Sequence, residues 1–370
     1  MPKYLLGIII LLLSSCSQTK VCEDILSIHI PEESVSCDSF FHTFKYEKAI
    51  QLQTSDDYIV SEIRRLIIED SLVFILNGYR QVFVFNQDGS FIRHIGEVGR
   101  GTGEYGKLLD IATDRNNRRL FLYSDDHRII EYSYDGVFLK QNRIKKGSLY
   151  KSIKYENGDL YFFKELGTSD GSLISILDGK SIKNASTLKT CDFPVSFSGV
   201  PFVKGKSLLF SQTSSNIIYE FNGKNSKKKF QLIIPHFITE EGRDKYNQNK
   251  NVMDILTDIY RKSITYDITS IRETNDGIFL KTNQSPLIWI KPNYQESTKF
   301  GTIIDKTISN QPLNYLAHDG NDDSIIFLAE GSAVAEREGK NKIPELESKL
   351  ATMNEHSNPI LLFFKHDGFQ

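Results

Sequence analysis

Apolar and polar positions alternate along most of this chain in short runs, and the runs recurrently break at an Asp-Gly or Asn-Gly pair. Val82 to Phe85 runs into Asp88-Gly89, Ile129 to Tyr134 into Asp135-Gly136, and Leu173 to Leu177 into Asp178-Gly179. Further copies end at Asn222-Gly223 and Asp367-Gly368, with a degenerate one from Leu287 to Asn293. Period-two alternation marks half-buried strands, and tight hairpin turns need the positive φ that Gly and Asn tolerate. Asp88, Asp135, Asp178 and Asn222 follow one another at steps of 47, 43 and 44 residues. That is the period of a propeller blade, four antiparallel strands set around a central axis.

The pattern therefore predicts an all-β fold, a six-bladed β-propeller over 46–370. In the first blade Ile59 to Ile68 reads as the inner strand, followed by Ser71 to Leu76, Gln81 to Asn86 and Ser90 to Ile95. The second blade repeats this at Leu109 to Thr113, Arg119 to Tyr123, Arg128 to Tyr134 and Val137 to Ile144. Blades three and four fall at 149–190 and 195–235, blade five starts near Ser263, and blade six begins near Leu313. The sixth copy stops just past its turn and lacks an outer strand. Lys48 to Thr54 alternates like a strand with no partner of its own, so pairing it onto blade six closes the ring and removes two exposed edges.

Two steps, of 71 and 74 residues, break the period. The first excess, 236–262, reads as helical: Thr239 is placed to cap Glu240-Glu241, and Val252, Ile255, Leu256 and Ile259 recur at helical spacing. The second, 330–357, has Pro344 where a helix starts, Leu346, Leu350 and Met353 on one face, and Glu345 four residues before Lys349. One insertion joins an outer strand to the next inner strand, and the other joins second and third strands. Both connection types emerge on one face of a propeller, so both helical insertions are expected to cap the same mouth of the channel.

Composition adds bounds. Hydrophobic residues make up 39 %, with 24 Phe and 17 Tyr, enough for a β-rich core. The 45 basic and 47 acidic residues leave a net charge of −2, which gives no electrostatic footprint for nucleic acid. Lys227-Lys228-Lys229 reads as a solvated hairpin tip. Lys3 precedes an apolar stretch from Tyr4 to Leu13, and ten residues rise about 15 Å as a helix, half of what a bilayer core needs. Residues 1–15 thus read as a signal peptide. Leu13-Ser14-Ser15-Cys16 resembles a bacterial lipobox, which implies lipidation of Cys16 and a tether over 16–45. Ser17, where a retention signal often has Asp, points to the outer membrane, facing the periplasm. In that oxidising compartment Cys22 and Cys37 either pair as a disulfide or remain free, and Cys191 is left as an odd thiol.

Gly96-Glu97-Val98-Gly99-Arg100-Gly101-Thr102-Gly103-Glu104-Tyr105 follows the first hairpin. With the lipobox, the closing strand, both insertions and the ending Asn358-Pro359-Ile360-Leu361-Leu362-Phe363-Phe364-Lys365, this run resembles the uncharacterised six-bladed β-propeller lipoproteins of gut-type bacteria, whose repeats are NHL-like. The family loop has Pro where this chain has Thr102. The resemblance implies the propeller and the lipid anchor, and no activity.

Candidate chemistry is sparse. Gly101, Gly103 and Gly106 imitate a dinucleotide fingerprint, and Gly101 to Lys107 most of a Walker A. Both need a helix at the loop, yet Leu108 to Ala112 reads as a strand and Leu108 replaces the metal-binding Ser/Thr. The glycines instead suit a crossing from the rim of blade one to the axis of blade two. That crossing would present Arg100, Glu104 and Tyr105 near the mouth, with Arg100 and Glu104 paired. Loops between second and third strands add Tyr79, Arg80, Asp125, His127 and Arg128, a mixture that stacks on and hydrogen-bonds a sugar or a peptide. Glu62, Asp110 and Glu273 fall near inner strands, but no spacing makes them a metal cage, and no Cys/His spacing suits zinc. No Gly-x-Ser-x-Gly occurs, and Trp289 reads as core. The expectation is a non-catalytic binding or scaffold module with no cofactor and no nucleic acid. Its partner is a small molecule, glycan, peptide or envelope protein, and the alternative is a metal-dependent hydrolase or lyase working in the channel.

Overall fold

A computed structural model describes residues 25–55, 57–144, 150–164, 173–178, 181–185, 188, 193–195, 203–223, 225–249, 251–320 and 323–368. Six sheets form six blades of a β-propeller. Blade 1 is Ile63–Glu69, Leu72–Asn77, Val82–Asn86 and Phe91–His94; blade 2 is Leu108–Asp114, Arg119–Ser124, Arg128–Ser133 and Phe138–Arg143. Blade 3 is Ser152–Glu156, Asp159–Phe163, Ile174–Asp178 and Ser181–Asn184, and blade 4 is Val203–Lys204, Leu208–Ser211, Ile217–Phe221 and Ser226–Ile233. Blade 5 is Ile268–Thr274, Gly277–Thr282, Leu287–Ile290 and Ser297–Phe300. Blade 6 takes Asn314–Tyr315, Ile325–Ala329 and Ile360–His366 from the end of the chain.

Its fourth strand is Phe44–Gln51, antiparallel to Ile360–His366 in the register Phe44 to His366 and Gln51 to Ile360. The expected closure thus exists, its strand starting four residues and ending three residues earlier than the alternation suggested. The N-terminal side of blade 1 is also shorter than expected. Ile59 is exposed, and the side chain of Asn358 accepts from the Val60 N–H at 2.8 Å, so this stretch is a fixed connection ahead of the strand at Ile63.

The segment expected to be a tether is folded from Leu26 onward. Leu26–His29 lies parallel along Ser226–Ile233 as a fifth strand of blade 4. Val35 then bridges Phe300 on the outer strand of blade 5, and the helix α1, Cys37–Thr43, leads into the closing strand. This belt crosses the rims of three consecutive blades. Its anchor is Phe40, fully buried with ring centroids 5.0–5.5 Å from Phe44, Phe300, Phe327 and Phe364. The same cluster, between blades 5 and 6, holds Trp289, whose indole N–H donates to Asp276 O at 2.7 Å, so the tryptophan is core as expected.

The first insertion forms two helices, α2 (Glu240–Gln248) and α3 (Val252–Arg261). Thr239 caps α2 by accepting from the Gly242 N–H at 3.1 Å. Ile255 and Ile259 are buried with Phe193, Val195 and Tyr266, which stand in the connections leading into the inner strands of blades 4 and 5. The second insertion forms α4 (Gly331–Ala335) and α5 (Pro344–Leu350). Leu346, Leu350 and Met353 join the core around Phe40, and Lys349 Nζ donates to Ala49 O of the closing strand at 2.7 Å. Both insertions arise on one face, as the connection types require, but they do different work. α2 and α3 sit beside the inner strands, whereas α5 clamps the closing strand at the rim because its apolar stripe matches the core there. Phe40→Ala should lower stability by about 3–5 kcal/mol by urea midpoint, while Leu26→Ala, at a half-exposed position, should change it by less than about 0.5 kcal/mol.

Candidate functional site

The inner strands converge on a sealed axis. Arg65 of blade 1 grips Asp110 of blade 2 through Nε to Oδ1 at 2.8 Å and Nη2 to Oδ2 at 2.5 Å. Its Nη2 also donates to Ser152 Oγ of blade 3 at 2.7 Å, and its Nη1 to Asp319 Oδ2 of blade 6 at 3.3 Å. Lys154 of blade 3 pairs with the other oxygen of Asp319, and the Lys204 N–H of blade 4 donates to that oxygen at 2.6 Å. The backbone of Asp319 is bound too: its N–H donates to Leu66 O at 3.0 Å and its carbonyl accepts from the Ile68 N–H at 2.8 Å. Arg272 of blade 5 donates to His318 O at 3.0 Å and to Gly320 O at 3.4 Å. Blade 6 thus sends His318 to Gly320 across the axis, where every other blade except blade 2 bonds it directly.

All five charged residues of this group are buried: Arg65 and Lys154 pair with Asp110 and Asp319, and the third cation, Arg272, donates to backbone carbonyls. Burial alone would raise the Asp319 carboxyl, but Lys154 and Arg65 outweigh it and hold the group below the usual carboxylate range. Burial pushes the Lys154 ammonium down, against the pull of Asp319. Asp110 therefore serves this seal. Glu273 lies off the axis between blades 4 and 5, where Lys229 Nζ reaches it at 2.9 Å and Tyr294 and Ser207 donate to it. Glu62 is exposed, 3.4 Å from Arg64. The three carboxylates do not converge, and among the described residues no three His, Cys, Asp or Glu side chains group to hold a metal ion.

The eight loop residues fall into two sets. Arg128 is buried and clamps the Gly-rich loop: Nη1 donates to Glu104 O at 2.6 Å, Nη2 to Gly99 O at 3.2 Å, and Nε to Asp126 at 2.5 Å. The Glu104 carboxylate accepts from the Gly101 N–H at 2.7 Å, so it is engaged inside the loop rather than with Arg100. A Cβ on Gly99 would stand 2.0 Å from that carboxylate, which explains the glycine. Tyr105 is not presented at the mouth. Its N–H donates to Glu97 O at 2.9 Å and its carbonyl accepts from the Gly99 N–H at 2.8 Å, which turns the ring into the core between blades 1 and 2. There burial drives its hydroxyl pKa well above the ordinary phenol range.

Tyr79, Arg100 and Asp125 form the exposed set, with Arg80 and His127 half-buried beside them. Arg80 and His127 occupy matching places in the turns of blades 1 and 2, both with left-handed backbones at φ 67° and 62°. Arg80 Nη1 donates to Leu108 O at 2.9 Å, and Asp125 accepts from the neighbouring Lys107 N–H at 3.2 Å, so the two side chains flank one dipeptide. Sequence reasoning missed Arg64, Arg65, Lys154 and Asp319. A signal existed for the first two: consecutive arginines inside the apolar strand Ile63–Glu69, which a propeller tolerates only where each finds a polar environment. Cys16, Cys22 and Cys191 lie outside the described residues. The Cys37 thiol is half-buried and donates to Ile304 O at 3.0 Å.

An all-β ring of six blades, closed by its own N-terminal strand and plugged by blade 6, defines this molecule as a six-bladed β-propeller with a solid hub. The chain belongs to the family described as Domain of unknown function (DUF4934), matched over residues 27–365. It is similar to the crystal structure of a putative exported protein from Bacteroides fragilis NCTC 9343, with 18 % identity and a TM-score of 0.74, over 93 % of this chain and 100 % of that one. The structure of YCF48 bound to D1 peptide matches more distantly, with 10 % identity and a TM-score of 0.44, over 92 % of this chain and 100 % of that one. No curated protein matches the chain.

Removing the Asp319 carboxylate leaves the buried Lys154 ammonium without its ion-pair partner, while Arg65 keeps Asp110, so Asp319→Ala should cost about 3–5 kcal/mol in urea unfolding. Because the folded pKa of Asp319 is depressed, its contribution is present above the unfolded value, about pH 3.9, and is lost as pH falls through the folded one. The variant should therefore lose less stability than the parent between about pH 5 and pH 2.

Proposed function

We propose that this protein is an exported, non-catalytic binding or scaffold module that receives its ligand or partner on the insertion-bearing face. The observation that carries this reading is the plugged axis. With Asp319 bonded to blades 1, 3 and 4, the channel core is filled by hydrogen-bonded side chains, and the exposed chemistry lies on the face around it. That face offers Tyr79, Arg100 and Asp125 on blades 1 and 2, and the exposed Met253 and Tyr260 on α3. A large exposed apolar or aromatic group on a rigid scaffold is the usual sign of an interaction site. A hydrolase or lyase working on the axis would need free carboxylates there, and Asp110 and Asp319 are committed to Arg65 and Lys154.

The envelope address rests on the N-terminus. The lipobox-like Leu13-Ser14-Ser15-Cys16 and the apolar stretch before it support a lipid anchor at Cys16, in an outer membrane and facing the periplasm. The exported relative supports secretion, and NHL-like repeats fit the blade period. From Cys16 to the first belt strand at Leu26 the chain spans at most about 36 Å, so an anchored propeller would stay close to its membrane. Several acyl chains hold such an anchor because each buried methylene contributes about 0.8 kcal/mol.

Two measurements test this reading. Radiolabelled palmitate should enter the protein in cells and be absent from Cys16→Ser, which should leave the membrane fraction; labelling that persists in the variant would refute the anchor. The melting temperature should not move with Ca²⁺ or EDTA, and one tightly held divalent ion whose removal lowers melting would return the channel chemistry to first place.

A further inference from the structure

Blade 1 carries two arginines on the insertion-bearing face that its own residues leave short of acceptors. Arg64 stands beside Arg65 in the inner strand, but it does not join the hub. Its Nε is buried without a hydrogen-bond partner, and its ion pair is a 3.4 Å contact from Nη2 to Glu62, a carboxylate with 60 % of its side chain exposed. Exposed pairs of this kind are weak and easily exchanged. Arg80 reaches the same place from the turn between second and third strands, and uses Nη1 on Leu108 O. The turn that carries Arg80 packs on Glu62: a Cβ on Gly78 would lie 3.4 Å from the carboxylate oxygen that Arg64 Nη2 contacts, so the two cations are near neighbours, and burial with the like charge of Arg64 lowers the Arg80 pKa.

The surroundings add a shelf and a rim. Tyr79 is 68 % exposed and Ile59 is 56 % exposed. They are held together because Asn77 Nδ2 donates to Ile59 O at 3.1 Å, while Gly78 sits so close to Ser61 that a Cβ would lie 3.0 Å from its hydroxyl. Asp125 closes the far side next to Lys107. Two guanidiniums with free N–H groups call for an oxyanion, which they grip in bidentate fashion. An exposed aromatic face takes a ring, and carboxylates accept from hydroxyls, which a sugar supplies in number.

We propose that Arg64 and Arg80 hold the carboxylate or sulfate of an acidic saccharide whose ring rests on Tyr79 and whose hydroxyls donate to Glu62 and Asp125. This assignment rests on the insertion-bearing face being the binding face and names the class of ligand it takes. A phosphate or sulfate ion satisfies the arginines alone, whereas a uronic acid engages the whole site.

The test is a titration of the ¹⁵N-labelled protein with glucuronate, inorganic sulfate and glucose, read at the arginine Nε–H resonances. Glucuronate and sulfate should each shift the Arg64 Nε–H to saturation, and glucose should not. Arg80→Gln should weaken glucuronate binding about tenfold, and Tyr79→Ala should weaken glucuronate about fivefold without changing sulfate. Because the titration of the parent protein is decisive by itself, a variant that folds poorly does not protect the idea. No saturable shift with either anion overturns the proposal, as does a shift unchanged in Arg80→Gln. Sulfate binding without glucuronate binding would mark an adventitious anion contact and overturn it too. Glucose binding at Tyr79 with no anion effect would overturn the acidic ligand and leave the binding face standing.

Discussion

The carboxylate of Asp319 is the point on which the ring is centred. A propeller ordinarily meets at its axis as six inner strands around a solvent-filled space, each blade touching its two neighbours. Here one side chain and its backbone are bonded to blades 1, 3 and 4, and the adjoining carbonyls are bonded to blade 5. A buried ion group gives little net stability against an apolar core of the same size, but it is costly to leave half made. It therefore selects one arrangement of blades over near misses. A ring shifted by one strand register would bury Arg65 or Lys154 without a partner.

The rim is held by a different principle. Outer strands are exposed edges, and propellers need their last blade stitched to their first. The belt from Leu26 to Gln51 does this with hydrogen bonds along blades 4 and 6 and with one aromatic plug, Phe40, between blades 5 and 6. α5 then presses on the closing strand through Leu350 and Lys349.

Local chemistry made the blades legible. Turns that need positive φ leave Asp-Gly and Asn-Gly at fixed offsets, alternation marks the strands, and a strand with no neighbour announced the closure at Ile50. The site was less legible for a physical reason. Tyr105 and Arg128 look like ligand-facing residues in the sequence, because their types suit binding and they stand in loops. Their direction is decided by backbone bonds to Glu97 and Gly99 that no spacing rule encodes. The hub was illegible for the opposite reason: Arg65 and Asp319 are 254 residues apart, and only the closed ring makes them neighbours. The belt was hidden because Leu26–His29 is too short for alternation to be distinctive.

The closing pair of strands also sets an order of events. Phe44–Gln51 is made long before its partner strand Ile360–His366. The hub has the same asymmetry, since Lys154 is made long before its partner Asp319. A chain emerging N-terminus first therefore holds one unpaired edge strand until Ile360–His366 arrives, and the Lys154 cation without its carboxylate until Asp319 arrives. Neighbouring blades can pair locally in the meantime, but the ring snaps shut only when the two ends meet, so this fold is committed late and all at once.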